Sequence, residues 1–93
     1  MSIPDKRQAP RKYADYVVEF YDPEGLLLAG VGRLIDLSAT GVRVESALRL
    51  ESGQVLLIRL RRGKDAALDL KAAVVRVRRH TTAASYGLKF IRD

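Results

Sequence analysis

Ninety-three residues are enough for one small hydrophobic core and too few for a second of ordinary size. Apolar residues make up 47% of the chain and charged ones 30%, a globular balance, while zero cysteines and one histidine exclude disulfide scaffolds, thiol catalysis and ordinary zinc sites. Lys and Arg number 17 against 11 acids, a formal charge of +6 that makes an anionic partner the first expectation. The longest apolar stretch, around Gly25 to Gly32, is far short of the roughly 20 residues of a membrane helix, and residues 1–20 lack the apolar core of a signal peptide. No membrane insertion and a cytoplasmic location are therefore expected.

Residues 1–12, MSIPDKRQAPRK, set Lys6, Arg7, Arg11 and Lys12 against Asp5 alone and show no strand or helix period. They read as a flexible basic arm ahead of a domain over residues 13–93. Tyr16, Val18 and Phe20 alternate with Val17, Glu19 and Tyr21, which predicts a first strand with the former three inward. Asp22-Pro23-Glu24-Gly25 is a turn signal, so the chain folds back into a second strand over Leu26–Asp36, where Gly30 and Gly32 suggest a bulge or a barrel corner. Leu37–Gly41 is a short connection, and Val42 and Val44 alternate with Arg43 and Glu45 in a third strand. Ser46–Gly53 is a connector with room for one helical turn. A fourth strand, Val55–Arg61, sets Leu56, Ile58 and Leu60 on one face and Val55, Leu57, Arg59 and Arg61 on the other. Arg62-Gly63-Lys64-Asp65 signals a turn, a fifth strand spans about Leu68–Arg79, and a sixth, Ser85–Ile91, sets Tyr86, Leu88 and Phe90 on one face. Short strands with frequent turns and no long helical period predict an all-β sandwich or a closed barrel, and closure leaves fewer exposed edges.

Enzyme templates fail on their residues. Gly30-Val31-Gly32 has no third glycine and no helix after it, and no phosphate-loop lysine signature occurs. Asp36, Ser38 and His80 are the residue types of a hydrolytic triad, but Ser38 lacks a strand-to-helix elbow and His80 sits in a basic stretch at a strand end, where exposure is expected. The chain reads as a binding module, not an enzyme, with no metal and no resident cofactor. Two clusters remain: Arg7 and Arg11 on the arm, and Asp36, Ser38 and Gly41 in one tight loop. An arginine fork bonds guanine O6 and N7 or faces a phosphate, and a carboxylate accepts from guanine N1–H and N2–H. The serine hydroxyl can hold the loop or reach a ligand, and the glycine permits a close backbone approach or a positive φ. Together they describe a guanine-and-phosphate receptor.

Simpler readings stand beside this one. Two arginines four apart arise by chance in an arginine-rich tail, and Asp36 with Ser38 is equally a turn whose short polar side chains satisfy its own amides. Arg59, Arg61, Arg76, Arg78 and Arg79 read as outward strand residues. A different class, a small basic β-barrel binding RNA or single-stranded DNA, fits the charge. Against it, aromatics are only 6% of the chain and the inward positions consume Tyr16, Phe20, Tyr86 and Phe90, leaving few stacking platforms.

Arg7-Gln8-Ala9-Pro10-Arg11 and Asp36-Leu37-Ser38-Ala39-Thr40-Gly41 are complete R-x-x-x-R and D/N-x-S-x-x-G motifs, in that order and about one β-hairpin apart. With Val42-Arg43-Val44 after the second and Tyr86-Gly87-Leu88-Lys89-Phe90 near the end, most of the chain resembles the PilZ domains, bacterial receptors for cyclic di-GMP. The resemblance implies a six-stranded antiparallel PilZ-type β-barrel whose arm folds over bound cyclic di-GMP. Arg7 and Arg11 would grip guanine and phosphate, while Asp36, Ser38 and Gly41 supply the opposing loop. Lys6 stands where an arginine often gives a third cationic contact, and it is added to the site. Unlike many members, the chain has no helix after the last strand, so the outward Val55 and Leu57 need other cover; self-association as a homodimer is one. An arm pinned by ligand converts a concentration into a new protein surface, so a downstream protein partner or a fused output domain is implied. A third reading keeps the barrel as a PilZ-like interaction adaptor that binds no nucleotide.

Overall fold

Residues two apart along a strand share a side, and alternating apolar residues make that side the core. The computed structural model describes residues 16–62 and 66–92, and in it the apolar side is rolled inward. The strands are β1 (Tyr16–Tyr21), β2 (Leu28–Leu37), β3 (Gly41–Ser46), β4 (Val55–Arg62), β5 (Leu68–Arg79) and β6 (Ala84–Phe90). They hydrogen-bond as a closed barrel in the order β1-β2-β3-β6-β5-β4, antiparallel throughout, with β4 back on β1. Closure removes the free edges. The expected all-β, six-stranded barrel is thus the fold, and no helix occurs among the described residues. Each strand buries its own anchors, among them Phe20, Leu34, Val44, Ile58, Val74 and Tyr86; a fully buried side chain of this size is worth about 1.5–3 kcal/mol. The basic arm, with Lys6, Arg7 and Arg11, lies outside the described residues, as do positions 63–65 of the β4–β5 turn.

β2 begins later than the expected Leu26, and the cause is Asp22. Its carboxylate accepts from the amides of Leu26 and Leu27 at 2.7 and 2.9 Å, which ends the turn only at residue 27. Gly25 takes the turn's left-handed conformation, φ 76°, and lies against Leu57, so the hairpin turn gives that outward leucine part of its cover. The Leu27 amide first, and then the Leu26 amide, hold the Asp22 carboxyl below its ordinary 3.8. Across β4 and β5, Arg59 bonds Asp69 bidentately at 2.7 and 2.9 Å and depresses that carboxyl as well. Both folded-state values lie below the unfolded ones, so the stabilisation is complete above the unfolded value and is lost as pH falls through the folded one. The thermal midpoint is expected to hold above about pH 5 and to fall below about pH 4. Asp22→Asn, which keeps an acceptor but takes up no proton, should flatten that fall in midpoints recorded across the same pH range.

The connector between β3 and β4 forms no helical turn, contrary to the sequence expectation. It runs across one barrel mouth, where Leu50 is buried and Tyr86 replaces the hydrogen bonds a helix would supply. The Tyr86 hydroxyl donates to the Leu48 carbonyl at 2.7 Å and accepts from the Leu50 amide at 2.9 Å. Ser46, the buried polar residue of the core, donates to the Val31 carbonyl and accepts from the Leu48 amide at 3.0 Å. Arg79, exposed as expected, also donates to the Leu50 carbonyl at 3.1 Å. Tyr86→Phe strands a buried amide, and chemical denaturation should show a loss of about 1–3 kcal/mol.

Three β-bulges change the phase of the alternation. Ala29 is the extra residue where β2 passes β1, beside the Gly30 that suggested it. Ile35 is extra in β2 against β3, and Val75 in β5 against β6. After Leu34, strict alternation would turn Asp36 inward; the bulge at Ile35 turns Asp36 outward, opposite Arg43, and leaves Leu37 against the core. The bulge at Val75 does the same for Arg76, leaving Val75 58% exposed and Val77 packed against the core.

Candidate functional site

The motif loop after β2 is built by its own side chains. Ser38 Oγ accepts from the amides of Gly41 and Thr40 at 3.2 and 3.3 Å and donates to the Gly41 carbonyl at 3.3 Å. The Ser38 amide also reaches the Gly41 carbonyl, at 2.9 Å, and the Thr40 carbonyl accepts from the Phe90 amide of β6 at 2.9 Å. Of the two sequence readings of Ser38, loop holding is therefore the one its bonds perform. Gly41 has no positive φ; its role is close approach, because a Cβ there would collide with the Leu88 carbonyl of the neighbouring strand.

Asp36 stands at the rim of this loop with its side chain 60% exposed. Oδ1 accepts from the Leu37 amide at 3.0 Å, and Oδ2 lies 3.8 Å from the Arg43 guanidinium. A carboxylate offers about four acceptor directions, so an incoming N–H donor pair finds free ones. Asp36, Ser38 and Gly41 line one open cavity of about 510 Å³, together with Arg43, Arg76 and Lys89. Strand pairing continues from Asp36 through Arg43 and Gly87 to Arg76, one residue from each of β2, β3, β6 and β5. The site is thus one acidic end and a basic floor, which can accept from a donor edge at one end and meet an anion along the other.

Lys6, Arg7 and Arg11 lie outside the described residues. Arg43, Arg76, Gly87 and Lys89 were not among the sequence candidates, since nothing local links residues 43, 76 and 89; barrel closure makes them neighbours. Arg43 had a signal, as an outward residue on the strand that leaves the motif loop. No hydrolytic triad assembles: His80 is exposed at the end of β5 with Nε2 3.2 Å from Ser85 Oγ, while Ser38 bonds within its own loop. Among the described residues, no group of three or more His, Asp or Glu side chains could hold a metal, and no helix is long and apolar enough to cross a membrane.

The family model of the PilZ domain matches residues 5–93, which takes in the strands, the loop and both arginines of the N-terminal motif. No curated protein and no solved structure matches the chain.

Proposed function

Since the chain belongs to the PilZ domain family, whose members are binding domains for cyclic di-GMP rather than catalysts as a class, we propose that it is a receptor for this second messenger. Asp36 takes the N1–H and N2–H edge of one guanine, and the loop held by Ser38 and Gly41 presents that carboxylate. Arg7 and Arg11, with Lys6 beside them, clamp guanine and phosphate from the opposite side. Residues 1–12 act as the ligand-binding arm and residues 13–93 as the barrel. Ligand fixes the arm against the barrel, and the composite surface is what a downstream protein or a fused output domain recognises.

The observation that carries this reading is the Asp36 carboxylate, exposed and only partly satisfied, at the acidic end of an open basic cavity. Isothermal titration of cyclic di-GMP into the chain, with GTP and cyclic di-AMP as controls, tests it. Saturable heat selective for the guanine ligand is expected. Absence of heat from folded protein, with steeply salt-dependent binding of single-stranded RNA instead, transfers the function to the nucleic-acid reading.

A further inference from the structure

Most of the barrel's arginines are neutralised. Arg33, Arg43, Arg49, Arg59, Arg61 and Arg79 each face a carboxylate within 4 Å. Arg76 has neither an ion pair nor a hydrogen bond among the described residues, yet it lines the same cavity as Asp36. A β-bulge puts it there: without Val75 as the extra residue, strict alternation would send Arg76 toward the core. The bulge at Ile35 brings Asp36 onto the same outer row. Bulges re-aim side chains beside functional sites, and here two of them deliver opposite charges to the two ends of one row. Between them, Gly87 keeps the floor low, since a Cβ at that position would lie 3.3 Å from the Arg76 Cβ. Asp36 on β2 and Arg76 on β5 line the same cavity, with β3 and β6 between them.

We propose that Arg76 is a further ligand-binding residue of this site and engages a phosphodiester in the half of cyclic di-GMP remote from Asp36. The proposal rests on the cyclic di-GMP reading above. An unpaired guanidinium at the end of a cavity meets a phosphodiester oxygen with a charge-assisted hydrogen bond, and fork geometry lets it take two oxygens.

The test is titration of cyclic di-GMP into wild type, Arg76→Ala, Arg76→Lys, Arg78→Ala and Arg11→Ala at several salt concentrations, with thermal midpoints recorded in parallel. Arg76→Ala should weaken binding about tenfold or more and make it less salt-dependent, with the midpoint unchanged. Arg76→Lys should recover part of the affinity, and Arg78→Ala, one step further along the outer face of β5, should bind like wild type. If Arg76→Ala binds like wild type while Arg11→Ala does not, the Arg76 assignment is wrong and the receptor reading stands. Equal weakening in Arg76→Ala and Arg78→Ala also overturns it, because a general positive field then suffices. No heat from wild type removes the receptor reading itself, and the Arg76 assignment with it.

Discussion

Arg11→Ala is expected to abolish cyclic di-GMP binding at micromolar ligand and to leave the thermal midpoint of the free protein within a few degrees of wild type, and Arg7→Ala should behave the same way. The two halves of this expectation have separate causes. A hydrogen bond from a charged group contributes about 1.5–3 kcal/mol, and a bidentate arginine makes two, so losing one fork costs a factor on the order of a hundred or more in affinity. Stability, by contrast, resides in a barrel whose β1–β4 closure begins at the pair Tyr16 and Arg62, beyond both arginines in the chain. Substitutions away from the packed core move stability by about 0.5 kcal/mol or less. Titration and a melting curve on the same preparations check both halves. A variant that binds like wild type takes its arginine out of the site.

How much of this was legible in the sequence depends on whether the cause is local. The strand cores of β1 and β4 were legible, because Tyr16, Val18 and Phe20, like Leu56, Ile58 and Leu60, hold one phase of alternation from end to end. The loop's own hydrogen bonds were legible, because Ser38 makes them with Thr40 and Gly41 and Asp36 with Leu37, all within a few residues; the approach of Gly41 to Leu88 was not. The bulge at Ala29 was foreshadowed by Gly30, but those at Ile35 and Val75 were missed, although they leave a trace: Leu34-Ile35 and Val74-Val75 are doubled apolar residues, each followed by alternation in the opposite phase. The connector was misjudged for the opposite reason. Its hydrogen bonds come from Tyr86, 36 residues beyond Leu50, and no local pattern announces a partner at that distance. The basic floor of the site has the same origin, since Arg43 and Arg76 become neighbours across Gly87 only once β3, β6 and β5 lie side by side.

The second large effect separates two glycines of the same face. Gly41 belongs to the ligand motif, yet its substitution should be read first in stability. A Cβ on Gly41 meets the Leu88 carbonyl, which is backbone of a paired strand, and the next nearest atoms, Leu88 C and Lys89 Cα, are backbone too. No rotamer change relieves that contact, so β3 and β6 must part where the loop is tied to the Phe90 amide. Forcing a methyl into such a contact costs about 1–3 kcal/mol, which in a chain of this size lowers the midpoint by roughly 5–20 °C. Gly41→Ala should therefore lose stability and cyclic di-GMP binding together, the second following from displacement of Asp36 and the Ser38-held loop. Gly87→Ala should behave differently. Its Cβ meets the Arg76 Cβ at 3.3 Å, a side-chain atom next to a bulge that can give by a few tenths of an ångström. The midpoint should stay close to wild type while affinity falls, because the new methyl raises the cavity floor under the ligand. Melting curves and titrations of the two variants side by side decide the matter: a Gly41→Ala protein as stable as wild type would show that the approach of β3 to β6 is looser than the barrel requires, and would return Gly41 to a direct role against the ligand.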